Sequence, residues 1–200
     1  MKKVSNSYKL ILFAIIAFAL YKETFVNGKV VVGAFYYFTI QSNILVGISL
    51  LLFIFMERRS RTKCMIRGFL LLAITLTGIV YNFILYKIFI DWGTVGYTFF
   101  RTVTHVVAPI GFILDWILFD KHNMMKWKDI LAWIIYPIVY CCVSLYAGFK
   151  YGFSIYFFLN TDNGYWNILK WIGLLLCALS AIGLMYVRLD KYLGRKKKRN

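Results

Sequence analysis

Apolar residues run through this chain in six long blocks separated by short polar stretches. The blocks are Tyr8–Val26, Val31–Met56, Ile66–Ile90, Val95–Phe119, Trp127–Phe149 and Trp166–Arg188. Each approaches or exceeds the roughly 20 residues that a helix needs to cross a hydrocarbon core of about 30 Å. Continuous apolarity predicts helices, because the strands of a membrane barrel alternate apolar and polar positions in segments of about ten residues. The connections are short, and neither a Pro/Gly/Ser-rich linker nor an internal repeat divides the chain. The pattern therefore predicts an all-α polytopic membrane protein, a single transmembrane domain over 1–200 with six helices and a basic tail at 189–200.

Composition agrees with that reading. The 200 residues are 61% hydrophobic and 16% charged, with a mean hydropathy of +0.68, whereas soluble domains run at about 45–50% apolar and about 25% charged. Charge adds an orientation. The 24 basic and 8 acidic residues give a formal +16, which in a soluble protein would point to nucleic acid. Here eighteen basic residues fall on one side of the predicted layout: Lys2, Lys3, Lys9, Arg58, Arg59, Arg61, Lys63, Arg67, Lys121, Lys126, Lys128 and seven between Arg188 and Arg199. Six, namely Lys22, Lys29, Lys87, Arg101, Lys150 and Lys170, fall on the other side. The excess of basic residues on cytoplasmic connections puts both termini in the cytoplasm, and a helical protein of this kind belongs in a bacterial plasma (inner) membrane. The tail RKKKR is expected against anionic lipid headgroups, at about 1 kcal/mol per basic residue, and no nucleic acid is expected as partner.

The start of the chain has a second reading. Met1–Lys9 is basic, Leu10–Ile16 is apolar and Ala17-Phe18-Ala19 has the small residues of a secretory cleavage site, so cleavage would leave five spans. The apolar run continues through Leu20 and Tyr21, which favours an uncleaved span. Cys64, Cys141, Cys142 and Cys177 form no CxxC or Cys/His metal spacing and are expected as thiols that pack like small hydrophobes. No cofactor or metal is expected, since the spans contain a single His.

Polar groups inside the blocks are costly in hydrocarbon and so point to function. The second block carries Thr39, Gln41, Ser42 and Asn43; the third carries Asn82; the fourth carries Arg101, Thr104, His105 and Asp115; the fifth carries Tyr136 and Tyr140 around Pro137. Counted from the predicted boundaries, Thr39, Asn82 and His105 share one level about 12 Å inside the outer surface. Plain readings compete with functional ones. A Thr in a membrane helix commonly bonds a carbonyl one turn back, Arg101 can snorkel to the surface, and Asp115 lies near the cytoplasmic boundary within reach of a basic partner. The imidazole is the group for which a role in catalysis or proton handling weighs most.

The segment YYFTIQSN (Tyr36–Asn43) and the segment HVVAPIGFILD (His105–Asp115), set in an all-helical layout with short loops, resemble the androgen-induced-protein-like family of membrane proteins, as a bacterial-type six-span relative. The characterised animal members of that family are threonine hydrolases that split fatty acid esters of hydroxy fatty acids inside the membrane with a Thr and a His. The resemblance implies those roles for Thr39 and His105, with Asp115 as the acidic residue ten positions on; Pro109 stands one position earlier than in the family pattern.

The chemistry is coherent without the resemblance. A Thr hydroxyl attacks an ester only if a base takes its proton, and a neutral His is the usual base. Asn43 and Asn82 are the candidate oxyanion donors or polar support, and Arg101, Tyr140 and Asp115 are possible accessory residues. A lipid diffusing sideways from the bilayer is the expected substrate. Two other readings remain open at this point: a non-catalytic membrane scaffold or sensor whose polar residues hold helices together, and a proton-coupled carrier lined by Arg101, His105 and Asp115.

Overall fold

The computed structural model describes residues 2–57, 59–86 and 98–196. It contains six long helices in the predicted order: α1 (Lys2–Thr24), α2 (Phe38–Phe55), α3 (Arg61–Leu85), α4 (Phe99–Phe119), α5 (Asp129–Tyr151) and α6 (Tyr165–Lys196). All six are long and apolar enough to cross a membrane. Large apolar side chains such as Ile11, Leu131, Val143 and Leu169 stand exposed on the outside of the bundle, a surface compatible with hydrocarbon as the solvent. Arg58, Lys87, the ends of the third and fourth predicted blocks at 87–90 and 95–97, and Lys197, Lys198 and Arg199 of the basic tail lie outside the described residues.

α3 is the axis of the bundle, packing on α2, α4, α5 and α6, with Leu70 to Ile74 essentially without solvent contact. Its approach to α5 depends on Gly68, where a Cβ would lie 2.0 Å from the Trp133 ring. α5 breaks at Ile134 into Asp129–Trp133 and Ile135–Tyr151, because Pro137 has no N–H for the carbonyl one turn back.

Several boundaries differ from those expected. The second block becomes helical only at Phe38: Val32–Tyr36 is a 3-10 turn and Tyr37 is extended. The Gln41 side-chain amide donates to the Phe35 carbonyl at 2.9 Å and fastens that turn to α2. α1 starts earlier than expected and α6 runs further, because helix continues through their polar ends. Between α1 and α2 the chain forms a hairpin of two-residue strands, β1 (Phe25–Val26) and β2 (Lys29–Val30). Its turn residues Asn27 and Gly28 both have positive φ, 51° and 74°, as a type I′ turn requires. The segment from Gly152 to Gly164 folds back against the bundle through two 3-10 turns, burying Phe158 and Leu159.

At the opposite end of the bundle, α1, α3 and α4 are joined by charge. Asp115, fully buried, pairs with Lys9 Nζ at 2.7 Å and Arg67 Nη2 at 2.5 Å. Asp120 pairs with Arg67 Nε and Lys63 Nζ, both at 2.8 Å. The Arg67 guanidinium lies between the rings of Phe53 and Phe112, with centroids 4.3 and 4.4 Å away.

Candidate functional site

The site begins with a fault in α4. Residues Val103–Val107 form a π turn in which the Ala108 N–H bonds the Val103 carbonyl. That diverts the donor that would serve Thr104 in a regular helix, and Pro109 offers none for either Thr104 or His105. Two carbonyls inside the bundle thus lose their helix partners, and two asparagines from neighbouring helices replace them. Asn43 of α2 donates to the Thr104 carbonyl at 3.0 Å and to its own Thr39 carbonyl at 2.9 Å. Asn82 of α3 donates to the His105 carbonyl at 3.1 Å and to the Gly78 carbonyl at 2.7 Å. Gly78 allows the approach, since a Cβ there would lie 3.3 Å from the His105 carbonyl oxygen. Asn82 belongs to a second π turn, Tyr81–Leu85, and π turns concentrate at functional positions.

Of the two roles expected for Asn43 and Asn82, oxyanion donors or polar support, these hydrogen bonds fit the second. Each spends both amide hydrogens on backbone carbonyls, and neither lines the cavity described next. Their role is polar support.

The side chain that the π turn presents is His105. Its Nδ1 lies 2.8 Å from the Arg101 carbonyl and 3.1 Å from the Thr104 hydroxyl. A carbonyl only accepts, so Nδ1 carries the proton and Nε2 keeps its lone pair. Nε2 has no hydrogen-bond partner among the described residues. The Tyr81 ring stacks on the imidazole with centroids 3.6 Å apart and fixes its plane. Behind the ring, the Thr104 hydroxyl lies 3.3 Å from the Phe100 and Arg101 carbonyls and 3.4 Å from Glu23 Oε1 of α1, three acceptors for its one proton.

His105 and Thr39 line the same cavity, of about 450 Å³, with Glu23, Tyr37, Arg101 and Tyr156 around them. Thr39 is the second residue of α2, so it sits in the first turn and not two turns inside; the level of about 12 Å expected for it rested on a helix starting at Val31. The site is consequently at the end of the bundle, beside the 3-10 turn before α2 and the folded-back segment before α6. Tyr156, on that segment, has its phenol in interaction range of the Thr39 and Tyr140 side chains, and burial pushes it up to about 12. It is therefore an O–H donor at neutral pH.

Thr39 also borders a second, smaller cavity of about 50 Å³. Its wall is formed mainly by Phe38, Leu76, Val80, Pro137, Cys141 and Leu175, and it shares Tyr81, Leu85 and Tyr156 with the first.

Of the accessory candidates, Arg101 lines the larger cavity, whereas Tyr140 lines the smaller one and donates to the Tyr36 carbonyl at 2.8 Å. Asp115 is held in the ion cluster with Lys9 and Arg67 and lines neither cavity. Glu23, Tyr37, Tyr81 and Tyr156 were not singled out by sequence reasoning. Glu23 carried a signal, an acidic residue at the end of an apolar block; the tyrosines, among 15, carried none. Among the described residues no group of three or more His, Cys, Asp or Glu side chains is placed to hold a metal ion.

No family model, no curated protein and no solved structure matches the chain. A functional reading therefore rests on the cavity and its chemistry.

Proposed function

We propose that this protein is an intramembrane hydrolase of lipid esters, with Thr39 as nucleophile and His105 as general base, in a bacterial plasma membrane with both termini cytoplasmic. The observation that carries the reading is that a hydroxyl and an imidazole, whose Nε2 has no hydrogen-bond partner among the described residues, line one cavity from different helices. In the proposed reaction Thr39 Oγ1 attacks the ester carbonyl while His105 Nε2 takes its proton. Collapse of the tetrahedral intermediate expels the alcohol, which leaves with the proton from Nε2. Water, deprotonated by the same nitrogen, then attacks the acyl-threonine, and the fatty acid leaves as that proton passes from Nε2 to Thr39 Oγ1. In this reading the Tyr156 phenol donates to the oxyanion, and the Arg101 carbonyl, which accepts from Nδ1–H, favours the imidazolium as it forms. Esters of fatty acids with hydroxy fatty acids, which the sequence resemblance implies, or similar lipid esters are the substrates to test. The basic tail suits anionic headgroups.

The test is release of free fatty acid from a panel of lipid esters by the purified protein in detergent, beside Thr39→Ala and His105→Ala. Both variants are expected to lose about 10²–10⁴-fold in kcat, the usual contribution of a positioned general base to its nucleophile. Equal turnover by wild type and both variants would refute the mechanism.

A further inference from the structure

We infer that the substrate is divided at Thr39, with its acyl chain in the small apolar cavity and a polar alcohol portion in the large one. The inference rests on the hydrolase reading for its chemistry and on the two cavities for its geometry.

The two spaces that meet at Thr39 differ in kind. The wall of the smaller is mainly apolar and without a charged side chain, with Leu76, Val80, Pro137, Cys141 and Leu175 from α3, α5 and α6 beside Thr77 and Tyr140. The larger carries a carboxylate, a guanidinium, an imidazole and three phenols, from Glu23, Arg101, His105, Tyr37, Tyr81 and Tyr156, with Tyr81 and Tyr156 shared between the two spaces. His105 lines only the larger one. Because the base that receives the Thr39 proton must return it to the departing alkoxide, the alcohol has to leave on the His105 side. The acyl chain is then directed to the opposite side, where the wall is mainly apolar. At about 50 Å³ the smaller cavity holds the volume of about four water-sized groups, enough for the first few carbons of a chain. Val80, Leu85, Cys141 and Leu175 are only half-buried, so the remainder of a longer chain continues between α3, α5 and α6 to the apolar outside of the bundle.

The larger cavity limits the alcohol. Both signs of charge face it, Glu23 and Arg101 among them, and they match a neutral, hydroxyl-bearing alcohol such as glycerol better than a second unbroken hydrocarbon chain. Within the lipid esters of the proposed function, the substrate class inferred is thus a single-chain ester of a polyhydroxylated alcohol, ahead of esters of hydroxy fatty acids, whose alcohol portion is a second chain.

The experiment uses 1-monoacylglycerols from acetyl to palmitoyl with the full-length protein in detergent, comparing wild type with Leu175→Trp, Cys141→Trp and, as control, Leu174→Trp. Leu174 neighbours Leu175 but is 56% exposed on the outside of α6. Filling the small cavity should lower the lauroyl-to-acetyl ratio of kcat/KM about tenfold, the effect of excluding two methylenes from an apolar site; the control should leave the ratio unchanged. In parallel, a monolauroylglycerol with a diazirine on its acyl end is photocrosslinked to the wild type and the adduct mapped. Adducts on residues around Leu175, competed by excess unlabelled monolauroylglycerol, are expected. Turnover with an unchanged ratio in both filled variants would overturn the divided site and leave the hydrolase standing. No turnover of any ester, with competed labelling near Leu175, would overturn the hydrolase and keep the site. Labelling that is not competed, or lies only on the outside of the bundle, would overturn the inference.

Discussion

At the scale of single residues the most consequential feature is the pair of carbonyls that Pro109 and the π turn strip of their helix donors. Asn82 restores the His105 carbonyl from across the bundle, and an unsatisfied buried acceptor costs about 1–3 kcal/mol. Asn82→Ala should therefore destabilise the protein by about 1–3 kcal/mol, read from reversible unfolding in detergent. Pro109→Ala returns an N–H one turn after His105, so in that background the same substitution should cost less. Purely additive effects in this cycle would show that the asparagine serves some other purpose. His105, Thr39 and Pro109 could be singled out in the sequence because each is chemically conspicuous within an apolar block. That Asn43 and Asn82 hold backbone and do not line the larger cavity could not, because an amide has the same donors whichever way it points.

At the scale of elements, α1, α3 and α4 are tied at one end by Asp115 and Asp120 against Lys9, Lys63 and Arg67. Removing one member of a buried ion pair leaves its partners charged and unpaired, at a cost of about 3–5 kcal/mol. Asp115→Asn should lower stability by about that amount while the folded fraction keeps its specific activity, since Asp115 lies in neither cavity. Loss of activity out of proportion to loss of folded protein would give Asp115 a part in the chemistry instead. The helices themselves were legible as apolar blocks. Their ends were less so: Lys9 reads as a flanking charge in the sequence but is buried in α1, because its counter-charge arrives from α4, more than a hundred positions away in the chain.

For the molecule as a whole, the same cluster sets the response to acid. Burial alone would raise the Asp120 carboxyl, but Arg67 and Lys63 more than offset it and hold the group below the usual carboxylate range. A depressed carboxyl stabilises the fold above its ordinary pKa of about 4 and loses that contribution as pH falls through the lower folded value. Unfolding temperatures in detergent should accordingly change little from about pH 7 to 5 and drop below about pH 4, with part of the drop absent in Asp120→Asn. An identical acid slope in the variant would exclude Asp120 as its source. Six apolar blocks of sufficient length were enough to determine the number and order of the helices, since a backbone in hydrocarbon has to satisfy its own hydrogen bonds and a helix does so using only its own residues. The cavity was decided by tertiary structure. It needs Glu23 from α1, Thr39 from α2, Tyr81 from α3, His105 from α4 and Tyr156 from the segment before α6, and whether those side chains converge depends on how helices rotate and pack, which no local pattern encodes.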